Sequence, residues 1–226
     1  MECVLLCAER PHNVIGSSSP NIIGQGLQFT VYQEGERVRK KPNAISDILR
    51  ILAKSSPQNV VNPLGLGREA RRIARERDAA VAEFKAHVVK PELVANAEVR
   101  GRTIVQDKVV PLGKALSLSD SPHEILDAFV RLTRDCWRNG FSETSFNFTV
   151  NHGLTSDGAV VVIDIGEISF ARDVVQRHVS ERIWSRCWSL TNDLNADLRS
   201  YAVDAFDAAF TVEALNAFWA DAPLSG

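Results

Sequence analysis

The sequence predicts an α+β fold in two lobes, and three observations carry that expectation. Residues 21–110 contain short β-prone runs separated by glycine turns, at Gly26, Glu34-Gly35-Glu36 and Arg100-Gly101. Residues 111–226 show mostly helical periodicity. One hairpin-like stretch, residues 147–167, interrupts those helices and ends in Asp164-Ile165-Gly166. A chain of 226 residues is long enough for two small lobes with proper cores, and the expected division is 1–110 and 111–226.

The elements follow in chain order. Gly16-Ser-Ser-Ser-Pro20 makes a flexible entry to a glycine hairpin, Gly24-Gln-Gly26-Leu-Gln-Phe29-Thr-Val31-Tyr32, which turns and returns as Arg37-Val38-Arg39-Lys40-Lys41. Strand alternation puts Val38 and Lys40 on one face and Arg37, Arg39 and Lys41 on the other. A helix is expected over Asn43–Lys54, with Ile45, Ile48, Leu49 and Leu52 inward, then a Pro/Gly/Asn-rich connector over Pro57–Gly67. From Gly67 to about Val88 a long helix carries the stripe Ala70, Ile73, Arg77, Ala80, Val81 and Phe84. Glu92–Val99 and Arg102–Val110 read as two strands, and the chain leaves the sheet at Pro111-Leu-Gly113. Ser121 is the expected N-cap of a helix over Pro122–Asn139, which buries Ile125, Leu126, Phe129, Leu132, Cys136 and Trp137 and stops at Asn139-Gly140. Helices over Val174–Leu190 and about Asn192–Trp219 complete the chain, with Trp184, Trp188, Phe206, Phe210 and Trp219 expected in the core.

Composition narrows the function classes. Hydrophobic content of 45%, charged content of 24% and a net charge of −2 give no overall drive toward nucleic acid or an anionic membrane. The basic run Arg68–Arg77 is interleaved with Glu69, Glu76 and Asp78, as on a solvated helix face. Cys3, Cys7, Cys136 and Cys187 form no CxxC pair, which argues against structural zinc and for reduced thiols. No apolar run approaches the roughly 20 residues of a membrane span. An acid at Glu2 and a short apolar run do not make a signal peptide, so a cytoplasmic location is expected.

Two segments carry the chemistry. In residues 147–167 an Asn opens a β-prone run, Asp157-Gly158 turns the chain, and Val160–Ile163 delivers Asp164 beside the flexible Gly166. An acid and an Asn on one hairpin supply the hard oxygen ligands that a Mg²⁺–phosphate site uses. The stretch resembles the Asn-to-DFG segment of the protein kinase-like fold, with Asp164-Ile165-Gly166 standing for DFG. Upstream, Gly24 to Val31 is similar to the kinase pattern G-x-G-x-x-G-x-V, with Phe29 in place of the third Gly. The short C-terminal lobe is similar to minimal bacterial kinase-like proteins of the YrbL (PhoP regulatory network) type. The resemblance implies ATP and Mg²⁺ as cofactors. It implies nucleotide contacts from Gly24, Gly26, Val31 and Val38, and a phosphate-binding Lys40, with Lys41 as the alternative if a bulge intervenes. It further implies a helix glutamate pairing with that lysine (Glu76 first, Glu69 and Glu83 as alternatives), adenine contacts from the backbone of Asp107–Val109, and metal ligation by Asn147 and Asp164.

Two departures from the family pattern bear on activity. No His-Arg-Asp or His-Gly-Asp triplet exists, and Glu143 is the one carboxylate between the Asn139-Gly140 stop and Asn147, hence the candidate catalytic base. Asn147 also lies 17 residues before Asp164, against about 13 in the family; Asn151 has the family spacing but puts Phe146 at the base position. The reading favours Asn147 with Phe148-Thr-Val150 as strand and His152 in an enlarged surface turn. The chain also lacks an A-P-E-like segment for docking a protein substrate. Two functions follow: an ATP-dependent phosphotransferase with an unidentified phosphoryl acceptor, or a pseudokinase acting through a protein partner. Neither nucleic acid nor membrane is an expected partner.

Overall fold

Alternation and tight turns build the first sheet. In the computed structural model, which describes residues 21–55, 63–221, 223 and 224, β1 (Asn21–Gln25), β2 (Phe29–Glu34) and β3 (Arg37–Pro42) form an antiparallel meander. Val31 faces Lys40 and Gln33 faces Val38 across the β2–β3 pair. Val38 and Lys40 are buried and Lys41 is exposed, as the alternation predicts. Cys3, Cys7, the Gly16–Pro20 entry and most of the Pro57–Gly67 connector lie outside the described residues.

Two helices cover this sheet's unit. α1 (Ile45–Ser55) packs Ile48 and Leu52 against Ala70, Ile73 and Ala74 of α2 (Pro63–Ala86), with Leu27 of the glycine turn joining the cluster. The last residues of the expected connector are therefore the first turn of α2. The expected strand over Glu92–Val99 is corrected too. Pro91–Val94 form a 3₁₀ turn, Ala95 and Asn96 take left-handed backbone (φ 52° and 51°), and β4 (Glu98–Arg100) begins only afterwards. Proline at the first helical position explains the turn, because its fixed φ suits a helical start and its missing N–H is an orphan there anyway. β4 pairs with β5 (Thr103–Asp107), giving the antiparallel order β1-β2-β3-β5-β4.

A polar node ties the glycine turn to the helices. Asn43 is buried at the end of β3. It accepts from Thr30 Oγ1 (2.7 Å) and donates through Nδ2 to Gly26 O (2.7 Å) and Leu27 O (3.1 Å). The carbonyl of Asn43 accepts in turn from Arg77 Nη1 (2.7 Å), and Arg77, only 2% exposed, is paired with Asp78 at 2.8 Å. The charged member of the α2 stripe thus points inward and serves as a backbone clamp.

The second unit is helical around one long element. β6 (Val110–Pro111) leads into α3 (Leu112–Leu118) and α4 (Pro122–Arg138), whose buried face includes Ile125, Leu126, Phe129, Leu132, Cys136 and Trp137. Ser121 sits at the N-cap position but makes no side-chain cap bond. β7 (Ser142–Glu143), α5 (Phe148–Asn151), β8 (His152–Leu154), β9 (Val160–Val162) and β10 (Ile168–Ser169) follow, arranged as the sheet β6-β8-β9 and the pair β7-β10. α6 (Arg172–Ser180), α7 (Ala196–Ala209) and α8 (Val212–Phe218) close the chain. The two long helices expected at the C-terminus are broken. Arg182 takes left-handed backbone (φ 49°) after α6, and Thr211 caps α8 by accepting from Ala214 N (3.0 Å).

Aromatic packing fills the second unit: Phe129 meets Phe148, Phe206 and His152 at ring distances of 5.1, 5.3 and 4.9 Å. Trp184, Phe206 and Phe210 are buried as expected, Trp219 is half-buried, and Trp188 is 41% exposed. The first unit comprises residues up to Val81 with Ala97–Lys108; the second comprises Ala82–Asn96 and Val109 onward. Among the described residues no helix is long and apolar enough to cross a membrane.

The Asn43 node yields a stability prediction. Asn43→Ala removes three hydrogen bonds and leaves two half-buried carbonyls to find other donors, so urea unfolding should show a loss of about 2 kcal/mol. A change below about 0.5 kcal/mol, the range of ordinary surface substitutions, would mean that the node is not anchoring the turn.

Candidate functional site

The first unit carries a buried lysine and a glycine turn. Lys40 lies between Val31 of β2 and Ile104 of β5, on the sheet face it shares with Val38 and Gln106. Gln106 is buried, and its Oε1 has no hydrogen-bond partner among the described residues. A buried amide oxygen left without a donor costs free energy, which marks this face as one that would gain from a ligand's N–H.

The glycine turn is held differently from the sequence expectation. Gly24 lies within β1, opposite Val31 beside a register irregularity, and the Gly26 amide is consumed by Phe29 O (2.9 Å). Because Asn43 draws the carbonyls of Gly26 and Leu27 toward itself, the trans peptides turn the N–H groups of Leu27 and Gln28 the opposite way. The outward amides are therefore those of Leu27 and Gln28, a detail hidden from sequence because Asn43 lies 16 residues beyond Leu27.

The helix glutamates do not serve Lys40. Arg72 holds Glu76 at 2.6 Å and Glu69 at 2.5 Å, and the Glu76 side chain is 55% exposed. Glu83 is exposed as well. The reason is helical phase: position 77, not 76, lies on the buried stripe, and it carries a cation. In the segment expected to meet adenine, the Lys108 amide is bonded to Glu36 O (2.9 Å), and Asp107 faces Arg37 at 3.5 Å. Val109 is half-buried.

In the second unit Glu143 organises the loop before the hairpin. It is buried and accepts from Ser145 N (2.9 Å), Phe146 N (2.8 Å), Asn151 Nδ2 (3.1 Å) and Ser145 Oγ. Burial pushes its carboxyl above the usual range, against the pull of those donors. These bonds make the inward Glu143 carboxylate the anchor of the loop, and its catalytic expectation is carried into the test under the proposed function.

Asn147 and Asn151 stand differently toward Asp164 than the strand expectation had them. Residues 148–151 form a helical turn rather than a strand, and Asn147 caps it in position while its Oδ1 accepts from Trp188 N (3.0 Å). The strand of the hairpin is β8, which starts just after Asn151. The Asn151 carbonyl accepts from both Ile163 N (2.8 Å) and Asp164 N (3.2 Å), so Asn151 and Asp164 are neighbours at the hairpin's open end. Asn151 Nδ2 is committed to Glu143 and Ser145 Oγ (2.9 Å), which fixes the amide orientation and leaves Oδ1 as an acceptor. Half-buried Asp164 accepts from Gly166 N (3.0 Å) through one oxygen, starting the 3₁₀ turn Ile165–Glu167. One carboxylate and one amide oxygen suit Mg²⁺, which takes few protein ligands and completes its shell with water and phosphate. Among the described residues no group of three His, Cys, Asp or Glu gathers to hold a metal by itself.

Two residues in this hairpin have single solutions. Gly153 is required by close approach, since a Cβ there would lie 2.3 Å from Val109 Cγ2. His152, expected in a surface turn, is instead 2% exposed, with Nδ1 unpartnered. It lines a cavity of about 10 Å³ with Thr133, Ser142 and Glu143, room for one water at most and for no larger ligand. No sequence signal separates a buried lone histidine from a surface one.

With this geometry in place, comparison with known proteins adds no name: no protein-family model matches the chain, and no curated protein matches it.

His152 generates a pH prediction. Burial lowers its pKa to about 3, so the folded protein keeps it neutral while the unfolded chain takes up a proton near pH 6.5. The stabilisation is complete above about pH 6.5 and is lost as pH falls toward 3, by at most about 1.4 kcal/mol per pH unit. Thermal melting should therefore fall more steeply with acidification in the wild type than in His152→Gln between those limits. Parallel curves for the two proteins would rule out His152 as the titrating group.

Proposed function

We propose that the protein binds ATP with Mg²⁺ through a protein kinase-like fold and acts by holding the nucleotide, as a pseudokinase-type module for a protein partner. The junction of Asn151 with Asp164 supports this reading, because backbone bonds set side by side two residues with hard oxygen donors, thirteen apart as in the family. Lys40 supports it from the first unit as a buried cation on the sheet behind the glycine turn, and Gln106 Oε1 as an acceptor in want of a donor such as an adenine amine. The chain's own tasks in such a site are binding and orientation. Lys40 neutralises phosphate charge, and the Leu27 and Gln28 amides donate to phosphate oxygens. Asp164 and Asn151 hold the cation, whose chemistry is charge neutralisation of the phosphates.

Binding is favoured over transfer by one position. Five residues before Asn151, where the family has its base, stands Phe146, 2% exposed with φ 55°. A second reading, slow phosphotransfer to an unidentified acceptor, draws on the same Lys, Asn and Asp set, since positioning and electrostatics can lower a barrier without a base.

A thermal-shift titration with ATP tests both. The wild type should be stabilised by ATP with Mg²⁺, by about 2.7 kcal/mol at a hundredfold excess over Kd. Lys40→Ala should lose most of that shift and Lys41→Ala should keep it. Asp164→Ala and Asn151→Ala should lose the Mg²⁺ dependence, whereas Asn147→Ala should retain it. No stabilisation of the wild type by any nucleoside triphosphate removes the proposal, and phosphate release from ATP that persists in Glu143→Gln would favour the transfer reading.

A further inference from the structure

The first unit carries a second basic site, independent of the glycine turn. A depression of about 580 Å³ opens between the start of α1 and the middle of α2, a size typical of small-ligand sites. Arg71, Arg75, Arg77 and Arg102 line it, with Asp78 as the one acid among its lining residues. Residues 71, 75 and 78 recur at helical spacing, so α2 turns one face into the depression, and Arg102 enters from the turn between β4 and β5.

The charges there do not balance. Asp78 is shared by Arg77 (2.8 Å) and Arg102 (3.0 Å), so one carboxylate serves two guanidinium groups. Arg71 and Arg75 take part in no ion pair or hydrogen bond among the described residues, although Arg72 between them binds both Glu69 and Glu76. Four arginines against one aspartate leave three uncompensated positive charges around one cavity. Like charges one helical turn apart, as at 71 and 75, destabilise a helix slightly. Ile45, the first residue of α1, also lines the depression, where opening amides of a helix lack intrahelical acceptors.

We propose that this depression binds a small, multiply charged phosphate-bearing anion, held mainly by Arg71 and Arg75. Guanidinium groups match phosphate oxygens in pairs, and a diphosphate would answer both the excess charge and the spacing of the two exposed arginines. The concave shape favours a small ligand over an extended nucleic acid, which needs a basic track rather than one pocket. The site is independent of the nucleotide reading, because its residues include neither Lys40 nor Asp164.

Pyrophosphate without divalent metal is the probe, followed by calorimetry at low salt. The wild type should bind it saturably at one site. Arg71→Ala with Arg75→Ala should weaken binding by at least about tenfold, the loss expected from removing charge-assisted hydrogen bonds. Both side chains are exposed, so the double variant should fold, with a melting temperature equal to or above that of the wild type. Lys114→Ala, an exposed cation outside both sites, should bind pyrophosphate as the wild type does. Equal affinity in the double variant, or an equal loss in Lys114→Ala, overturns the site. Binding of single-stranded RNA that pyrophosphate does not displace would replace the small ligand with a nucleic acid and overturn it equally.

Discussion

The buried carboxylate of Glu143 is the constraint on which the candidate site in the second unit depends. Placing a carboxylate in a protein interior is unfavourable unless donors surround it, and here the donors come from Ser145, Phe146 and Asn151. Satisfying that one group bends residues 144–147 around it and begins α5. It also fixes which edge of the Asn151 amide faces inward. The Asn151 carbonyl then receives the Ile163 and Asp164 amides, which sets where Asp164 leaves β9. On the other side, Glu143 pairs with Ile168 through β7 and β10, so the chain after Asp164 is fastened to the same strand. An apolar residue at 143 would leave the Ser145 and Phe146 amides without acceptors, each costing about 1–3 kcal/mol, and the Asn151 amide with Ser145 Oγ alone.

The first unit uses the same device with opposite charge. Arg77 projects from α2 to the Asn43 carbonyl, and the Asn43 side chain grips the glycine turn. In both units apolar helices supply the bulk of the core, while one buried polar group determines the shape of a loop. A hydrophobic contact is non-directional and cannot hold a turn in a single conformation. Hydrogen bonds to backbone carbonyls and amides can, because each has a fixed direction.

What was legible in the sequence follows from this division. Val38 and Lys40 share a buried face because a period of two leaves no other choice, and α4 buries its stripe because seventeen residues repeat one pattern. The loop was not legible. Phe148, Thr149 and Val150 are β-prone, yet they turn as a helix because Glu143, several positions earlier, gathers the preceding amides. Asn147 and Asn151 were therefore both on offer by spacing, and only the three-dimensional course of the loop separates them. Glu76 failed for a narrower reason: one position along a helix is a rotation of about 100°, enough to exchange a buried side chain for a solvated one. The C-terminal helices broke at Arg182 and Phe210-Thr211, where no Gly or Pro announces an end.

Phe146 is where the loop's architecture bears on activity. Its ring lies 5.5 Å from Trp184 and 5.6 Å from Phe210, inside the aromatic core. An aspartate at that position would place a charge among these rings, where Phe210 has no donor and the Trp184 indole N–H is already given to Asp207 (3.0 Å), so a carboxylate base at 146, as the proposed reading would need for transfer, would also empty part of the core. Under the proposed reading, packing and a transfer base would make incompatible demands on one side chain, and Phe146 meets the packing demand. The Glu143 oxygens meanwhile hold the loop that presents Asn151. In the proposed reading, holding the nucleotide asks nothing of position 146, because phosphate- and metal-binding groups neutralise charge without a general base.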